Sequence, residues 1–490
     1  MAIFILNSLT KKKEEFIPVT SQKVNIYSCG VTVYDDCHIG HARSLYIFEV
    51  IKRYLKYRGF KVNFVRNITD IDDKIINRAN ELKVKWDELV AKYITRYYED
   101  LKALGLEKAD FEPRATENIP EMIKFIQGLI DKGYAYPTST GVYFSVRKFE
   151  TYGKLSGQGI EQMLTGVRKD ADETKEDPLD FALWKSSKPG EPFWESPWGN
   201  GRPGWHIECS VMSTKYLKTD TLDIHAGGRD LIFPHHENEI AQAEALTGKP
   251  FAKYWIHHGL LTINGQKMSK SLGNFITIKD LLDKYKDADL LKLFFLSTHY
   301  SHPIDYNEEK IEEARKQKKI FEECLAKIDN WGVLENRGVV EFSDSDRKKI
   351  ENICEKFQNA MDDDFNTPQA LSYLFELADL GAKFISTDKE EAFRYLKGKL
   401  QEYLNIFAIN IEIKEITSEV KRLAQERDSA KKNKDYKAAD QIRGQILKDC
   451  KFIAIDTATN ITFVSVDQSK VNETVNIKFI SVNQDKKDKK

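Results

Sequence analysis

The sequence predicts an α/β protein in which a parallel-sheet domain contains an inserted segment and is followed by a helical region and a small α+β module. Three observations support this prediction. A strand–helix–strand unit lies within the first 65 residues, the strand–helix pattern returns after residue 220, and helical periodicity takes over after about residue 305. The chain has 490 residues, which at about 150 residues per domain corresponds to about three domains.

The first strand–helix–strand unit is the clearest part of the pattern. Lys23–Cys29 reads as a strand, and apolar residues then recur at helical spacing from about His41 to Arg58. Gly59 stands where a left-handed residue would end the helix, and Lys61–Val65 reads as the second strand. Because such a unit favours parallel pairing, we expect ligands at the carboxyl ends of the strands.

The later elements complete the predicted order. Residues 116–200, with a short strand at Gly141–Ser145, read as an insertion in the sheet domain. The strand–helix pattern resumes with Thr221–His225 and with a helix from Pro234 to Leu246, for which proline suits the first position. The chain after residue 305 is predicted to be helical. Its end carries two basic helices, a hairpin and a tail: Ser418–Asn433, Tyr436–Lys448, Phe452–Ile455 with Ile461–Val466, and a disordered 471–490.

Composition narrows the possible functions. Hydrophobic residues make up 41% and aromatic residues 11% of the chain, as in globular proteins. The 75 Lys and Arg residues nearly cancel the 76 Asp and Glu residues, which excludes a uniformly basic nucleic-acid coat but allows local basic patches. No apolar stretch approaches the roughly 18 residues of a membrane span. The six cysteines form no CxxC pair, so a reducing, cytoplasmic setting is expected.

Two short motifs are suited to phosphate chemistry. His38-Ile-Gly40-His41 lies between a strand and a helix N-terminus, where backbone N–H groups and the helix dipole attract anions. Gly40 allows close approach to the backbone. Lys267-Met-Ser-Lys270-Ser271 lies in a glycine-flanked segment, and its lysines could neutralise a triphosphate as charge builds on the leaving pyrophosphate. The alternatives are a pair of surface histidines and a solvated lysine turn.

Other nucleotide motifs do not apply. The sequence contains no Walker A pattern, so a P-loop is excluded. Gly199–Gly204 matches GxGxxG formally, but it follows no predicted strand and contains Pro203. We interpret it as a loop.

Several possible metal ligands lie in segments that the sheet would bring together. Cys29 ends the first strand, Cys209 lies in a second segment, and the segment from His235 to Glu239 offers two histidines and two glutamates. The HExxH motif of zinc proteases is absent. A Cys/Cys/His/Glu set drawn from these three segments suits tetrahedral Zn²⁺, although a polar helix start would explain the third segment as well. Cys37, beside His38, is a spare thiol near this edge.

These motifs resemble those of cysteinyl-tRNA synthetases, a family of class I aminoacyl-tRNA synthetases. The similarity runs from about residue 4 to residue 450, and beyond Asp456 the chain departs from the family pattern, with Thr457–Asn460 and Phe463 where a Pro/Gly turn and a tryptophan are usual. The segments that carry the resemblance, besides His38–His41 and Lys267–Ser271, are Tyr27–Gly30, Asn67–Lys74, Gly201–Cys209, Gly227–Glu239 and Met361–Pro368.

The resemblance implies a domain order. It implies a Rossmann-type catalytic domain that a connective insertion divides, and then modules that bind tRNA. The expected borders are 1–115 and 201–265 for the two halves of the catalytic domain, 116–200 for the insertion, 266–325 for the signature loop and stem-contact region, 326–409 for a helical bundle, 410–470 for the anticodon-binding module and 471–490 for the tail.

The resemblance also implies an activity and roles for the site residues. L-cysteine would react with ATP to cysteinyl-adenylate and then be transferred to the terminal ribose of tRNA(Cys). His38, Gly40 and His41 would bind ATP, and Lys270, assisted by Lys267, would stabilise the departing pyrophosphate. One Zn²⁺ per chain would bind the substrate thiolate, and Trp205 and His225 would line the amino-acid pocket. The zinc ligands carried over from the family are Cys29, Cys209, His235 and Glu239.

Further expectations concern partners and alternatives. Mg²⁺ is expected with ATP, neither DNA nor a membrane is an expected partner, and the chain is expected to be monomeric. A cysteine ligase with a small-molecule acceptor, as in mycothiol biosynthesis, is the nearest alternative, and a catalytically inactive RNA-binding relative is another. The intact histidines, lysines and zinc ligands argue against the inactive relative. The basic C-terminal helices favour an RNA partner over the small-molecule acceptor, through Lys421, Arg422, Arg427, Lys431, Lys432, Lys434 and Lys437.

Overall fold

The structure is a computed structural model that describes residues 2–164, 174–269, 272–329, 342–387, 389–411, 417–450, 452–456 and 461–465. The predicted tail at 471–490 and Lys270 lie outside these residues. The strands are β1 Phe4–Asn7, β2 Lys12–Glu15, β3 Lys23–Thr32, β4 Lys61–Thr69, β5 Ala135–Pro137, β6 Gly141–Phe144, β7 Phe181–Ser186, β8 Gly201–Pro203, β9 Leu222–Gly228, β10 Ala252–His258, β11 Leu261–Ile263, β12 Gln266–Lys267, β13 Ile304–Tyr306, β14 Phe452–Asp456 and β15 Ile461–Ser465.

The helices occupy the segments between the strands and most of the C-terminal part. They are α1 Ile39–Tyr57, α2 Asp73–Leu82, α3 Trp86–Ala103, α4 Ile119–Asp131, α5 Ile160–Leu164, α6 Trp205–Leu217, α7 Glu237–Thr247, α8 Ile278–Tyr285, α9 Ala288–Leu296, α10 Glu308–Asp329, α11 Asp344–Asp362, α12 Thr367–Ser386, α13 Glu390–Ile406, α14 Ser418–Lys432 and α15 Tyr436–Cys450. Among the described residues, no helix has both the length and the apolar character that crossing a membrane requires.

The chain forms two compact units. The first comprises Met1–Arg315, Lys356–Leu371 and Leu404–Ile409, and the second comprises Lys316–Glu355, Ser372–Tyr403 and Asn410–Lys490. Residues 356–371 and 404–409, which the sequence analysis assigns to the helical bundle, pack with the first unit. The reason is visible in α1, whose Tyr54 donates a hydrogen bond to Asp362 at 2.6 Å.

A four-stranded parallel sheet forms the centre of the first unit, with the strand order β10-β9-β3-β4. The predicted strand–helix–strand unit is therefore confirmed as β3, α1 and β4. Gly59 follows the end of α1 in the left-handed conformation, with φ of 87°. Apolar residues of the strands and of the flanking helices are buried, as expected for a parallel sheet that is covered on both faces.

Segments of the predicted insertion form an antiparallel sheet in the order β5-β6-β7-β8, whose last strand lies just beyond the predicted border at residue 200. That strand, Gly201–Pro203, belongs to the segment interpreted above as a loop, so the interpretation was wrong for these residues. A third sheet, β12-β11-β13, carries the segment that leads to Lys267. One predicted helix start was wrong. Pro234 lies in a π-helical turn, Ile232–His236, in which Phe233 has an extended backbone, and the regular helix α7 begins only at Glu237.

Where the structure describes the second unit, it is helical apart from the hairpin of β14 and β15, which pair antiparallel as the sequence predicts. The two basic helices are also present as α14 and α15. One member of their predicted RNA-binding surface was wrong, because the side chain of Arg427 is only 1% exposed. Its position on the apolar face of α14, with Val420, Leu423 and Ala424, removes it from any contact with RNA.

Candidate active site

His38 and His41 form a cap at the N-terminus of α1, the helix that follows β3. His38 Nδ1 accepts hydrogen bonds from the backbone N–H groups of Gly40 and His41, at 3.1 and 3.3 Å. The backbone N–H of His38 in turn donates to His41 Nδ1 at 3.2 Å. The two rings stack with centroids 3.7 Å apart. A Cβ at Gly40 would lie 2.9 Å from His38 Cε1, so this arrangement requires glycine there.

The cap also fixes the protonation of both rings. A ring nitrogen that accepts a hydrogen bond carries no proton, so each neutral imidazole holds its proton on Nε2. Burial, and then the nearby His38 and Lys74, keep the pKa of His41 well below its usual range. The pair therefore offers neutral N–H donors at a helix N-terminus, an arrangement that suits a phosphate group.

The lysine-containing signature segment lies next to this cap. The Ile39 N–H donates to the Ile276 carbonyl at 3.1 Å, and the Ile278 N–H donates to the Cys37 carbonyl at 2.9 Å. Lys267 is exposed at the end of β12. The Asn274 side chain closes the segment, since Nδ2 donates to the Lys267 carbonyl and Oδ1 accepts from the Ser269 N–H. The structure thus brings Lys267 and the histidine pair to one edge.

The four predicted metal ligands converge from three elements. Cys29 lies on β3 where its register against β4 shifts, a bulge that re-aims the side chain. Cys209 lies on α6, and His235 and Glu239 lie one turn apart around the start of α7. One ligand atom from each of the four lies within 4.8 Å of all the others.

Distances within this cluster match a tetrahedral zinc site. Bond lengths of about 2.3 Å to sulfur and about 2.0–2.2 Å to nitrogen and oxygen give ligand–ligand separations of roughly 3.4–3.8 Å. The cluster has 3.8 Å between the two sulfur atoms, 3.6 Å from Cys209 Sγ to His235 Nε2, and 3.5 Å from Cys29 Sγ to Glu239 Oε1. The His235–Glu239 pair is closer, at 2.9 Å, because it forms an ion pair.

A second grouping shares two of these residues. His225 Nε2 lies 2.7 Å from Glu239 Oε2, and His236 Nε2 lies 3.2 Å from Cys29 Sγ. Together with Cys29 and Glu239 these histidines also satisfy the spacing of a metal site. The other ring nitrogen of His236 is 2.8 Å from His257 Nε2, and this set holds only one of the two cysteine sulfurs. The donor set with two thiols is the softer one and the better match to Zn²⁺.

Electrostatics inside the cluster also fit a dication. Burial raises the pKa of the Cys29 thiol well above its usual range, and the neighbouring Cys209 and Glu239 raise it further. Burial acts in the same direction on Cys209, but contacts with Cys29 and His235 lower its pKa to about 6. Burial opposes ionisation of Glu239 as well, yet His225 and His235 lower its pKa to about 2. A bound cation would allow the second thiol to ionise.

The predicted pocket residues flank the cluster. Trp205, the first residue of α6, stacks on the His235 ring with centroids 4.0 Å apart. His225, on β9, stacks on Trp255 at 4.4 Å. The structure brings both to the cluster. Cys37 is buried with a raised pKa, caused by burial and then by Asp100, and it belongs to neither group of candidate ligands among the described residues.

Three further side chains at the cluster were missed by the sequence analysis: Tyr27, His206 and His257. His206 Nδ1 lies 2.9 Å from His235 Nδ1, so it contacts the ring nitrogen opposite the one in the cluster. Burial, followed by the charges of Cys209, Cys29 and Glu239, raises the pKa of Tyr27 well above its usual value. The spacing of His206 and Cys209, three apart on one helix face, could have indicated the first of them.

Comparisons with known proteins show the family of the chain. Residues 15–316 match the family model for the class I (C) catalytic domain of tRNA synthetases, and residues 356–412 match the DALR domain. The chain is 53% identical to a cysteine–tRNA ligase of Thermodesulfovibrio yellowstonii, over 90% of this chain and 96% of that protein. It is 46% identical to a cysteine–tRNA ligase of Geobacter sp. strain M21, over 94% and 99% of the two chains.

Solved structures show the same fold at low sequence identity. A methionyl-tRNA synthetase of Mycobacterium tuberculosis in complex with methionyl-adenylate has a TM-score of 0.58 and 15% identity, covering 79% of this chain and 89% of that one. A putative arginyl-tRNA synthetase of Campylobacter jejuni has a TM-score of 0.56 and 14% identity, covering 80% and 94%. The resemblance drawn from the sequence is confirmed, and the chain belongs to the cysteine–tRNA ligase family of class I aminoacyl-tRNA synthetases.

Proposed function

We propose that this site activates L-cysteine with ATP, forming cysteinyl-adenylate and pyrophosphate, and then transfers the cysteinyl group to the 3′-terminal ribose of tRNA(Cys). The observation that carries the proposal is the convergence of four ligand atoms within 4.8 Å on the strand-end edge that also presents the histidine cap. One part of the edge suits a thiol, and the other suits phosphates.

At the phosphate end, this chain's own residues act through hydrogen bonds and charge. His38 and His41 would donate from Nε2 to the triphosphate, and Gly40 leaves the backbone N–H groups of the helix start open to it. Lys267 and Lys270 would stabilise the charge that develops as pyrophosphate leaves. Donors aimed at developing charge are typically worth about 2.7–4 kcal/mol each. Mg²⁺ would enter with ATP as a counter-ion of the phosphates.

At the thiol end, Cys29, Cys209, His235 and Glu239 would hold one Zn²⁺. When bound, the ion supplies a soft Lewis acid that favours a thiolate over a hydroxyl. Trp205 and Tyr27 would close the pocket around the substrate side chain, and His206 would accept a hydrogen bond from His235 Nδ1 and so fix the orientation of that ring. Cysteine and serine are nearly isosteric, so shape alone would give only about 1–3 kcal/mol of discrimination.

One experiment tests both halves of this proposal. Metal content of the purified protein would be measured, together with cysteine-dependent and serine-dependent ATP–pyrophosphate exchange and charging of a tRNA(Cys) transcript. We expect one zinc per chain, and exchange with serine lower than with cysteine by about a thousandfold or more, equivalent to about 4 kcal/mol. Metal-free protein that still prefers cysteine to this extent would contradict the zinc assignment, and exchange without charging would point to a small-molecule acceptor.

The RNA partner, oligomeric state and compartment are part of the same proposal. We infer that Lys421, Lys434 and Lys437, which are exposed on or beside α14 and α15, contact tRNA phosphates. The six cysteines, all within the described residues, form no disulfide bond, which suits a reducing cytoplasm. We expect a monomer, which light scattering of the purified protein would test.

A further inference from the structure

Arg43 lies two residues after His41 on α1 and is completely buried. Within the part of the chain that the structure describes, its guanidinium is not paired with a carboxylate and instead donates four hydrogen bonds to backbone carbonyls. Nη1 donates to Gly259 and Leu260, at 2.6 and 3.0 Å, and Nη2 donates to Tyr300 and His302, at 3.2 and 2.6 Å. Burial lowers the pKa of Arg43 to about 10, so it stays charged at neutral pH.

The four carbonyls belong to two segments in direct contact, residues 259–260 and 300–302, which run side by side into paired strands; their contact is called the junction below. The Gly259 N–H donates to the Tyr300 carbonyl at 2.9 Å, and a Cβ at Gly259 would lie 2.1 Å from the His302 carbonyl oxygen. One segment continues from Leu260 into β11 and the other continues from His302 into β13. These strands pair in the sheet whose third strand, β12, ends at Lys267.

The segment that contains Tyr300 and His302 also contacts Asp364, in the Met361–Pro368 segment. Asp364 Oδ1 accepts from the Tyr300 hydroxyl at 2.7 Å, and the Asp364 carbonyl lies 2.9 Å from His299 Nε2. Asp364 adopts the left-handed conformation with φ of 62°, and its Oδ1 also accepts from the Leu6 N–H. The proposed chemistry assigns no role to this segment. Its contacts show that it supports the junction, which therefore lies between Arg43 and Asp364.

We propose that Arg43 is a positioning residue that sets the strand leading to Lys267 at a fixed place relative to His38 and His41. The inference rests on the roles proposed above for those three residues. A planar guanidinium can donate to four carbonyls of two neighbouring segments at once. A lysine ammonium is a single point charge and cannot reach all four carbonyls. Displacement of reacting groups by about 1 Å can reduce a rate by about a hundredfold. Loss of the four guanidinium hydrogen bonds should therefore slow the reaction, although Arg43 itself does not contact the substrate.

The test compares Arg43→Lys with Arg53→Lys in cysteine-dependent ATP–pyrophosphate exchange by the full-length holoenzyme. Arg53 is the matched control, since it lies on the same helix and binds the Asn405 carbonyl as well as Glu49 and Glu107. We expect Arg43→Lys to lower kcat by about 10- to 100-fold while the KM for cysteine stays within twofold. Arg53→Lys should leave both within twofold. A purely structural role would lower the amount of folded protein without this split between kcat and KM.

A milder variant keeps the inference testable if Arg43→Lys does not fold. Tyr300→Phe removes only the hydroxyl that donates to Asp364 at the junction. It should lower kcat by about two- to fivefold with an unchanged KM for cysteine. If Arg43→Lys folds, an unchanged kcat in that variant would overturn the inference. If only Tyr300→Phe folds, an unchanged kcat in Tyr300→Phe would overturn it. His41→Ala in the same assay separates this failure from failure of the proposed site, because a full rate for His41→Ala would contradict the site itself.

Discussion

The thiol end and the phosphate end of the site differ in how completely their groups are fixed before substrate binds. Cys209, His235 and Glu239 are at most 1% exposed and contact one another directly. At the phosphate end the histidine cap is ordered by internal hydrogen bonds, whereas the side chain of Lys267 is exposed.

This difference follows from what each end has to do. Selection of cysteine over serine must take place as the amino acid binds, so its donors have to be in place beforehand. Stabilisation of leaving pyrophosphate is needed only in the transition state, and groups that act there can sit on an exposed segment that closes on the substrate. Substitutions at the buried end should therefore be more damaging than those at the exposed end.

The largest effect is expected for Cys209→Ser. Loss of a soft ligand should release the metal, lower exchange with cysteine by about a thousandfold or more, and remove the preference for cysteine over serine. Metal content and exchange with both amino acids check this expectation. Cys37→Ser is the control, because Cys37 is buried in the same unit but belongs to neither ligand group. Full zinc occupancy in Cys209→Ser would show that the ligand set is wrong.

His41→Ala should rank second, with a fall in kcat of about a hundredfold, typical for loss of one preorganised donor. His41→Gln keeps an N–H donor on its side-chain amide and should recover part of the rate. Because the pKa of His41 is held well below its usual value, the ring stays neutral as pH rises from 6 to 8. The exchange rate should then show no titration of this group in that window. If the exchange rate changed with a midpoint near pH 6.5, and this change disappeared in His41→Gln, His41 would not be a neutral donor.

The sequence predicted the elements of the site better than the contacts inside it. Strand β3, helix α1 and strand β4 follow from local periodicity and from Gly59, and the two signature segments follow from their residues. Burial of Arg427 and the hydrogen bonds of Arg43 depend on which face of a helix meets a distant segment, and helical spacing does not specify this. The resemblance assigned His235 and Glu239 to the metal, but the spacing gave no sign that His225 and His236 form a second group with Cys29 and Glu239.

Lys267→Ala should have a smaller effect than Cys209→Ser or His41→Ala. Its charge is exposed to solvent, where the effective dielectric constant is high, so we expect kcat to fall by about twentyfold, or about 1.8 kcal/mol, with the KM for cysteine unchanged. Lys279→Ala, an exposed lysine on the following helix α8, serves as the control and should have the wild-type rate. A larger loss than that of Cys209→Ser would reverse the order of the two ends and contradict the comparison.

The smallest effect concerns RNA binding and should leave both ends of the site intact. Exchange of Lys421, Lys434 and Lys437 for glutamine removes three exposed charges, so the KM for tRNA should rise about three- to fivefold while cysteine-dependent exchange stays within twofold. Each lost phosphate contact should also reduce the slope of log affinity against log salt by about 0.7–0.9.

Arg422→Gln is the matched control for this lysine set, because the Arg422 charge is already balanced by Glu419 and Glu426 on the same helix. Its loss should change the KM for tRNA less than the loss of the three lysines does, since a guanidinium paired with two carboxylates releases fewer counterions on binding RNA. Charging assays over a range of salt concentrations measure both quantities. If the triple variant kept the wild-type KM and salt slope, α14 and α15 would carry a solvated charged surface, and the tRNA contacts would lie elsewhere on the chain.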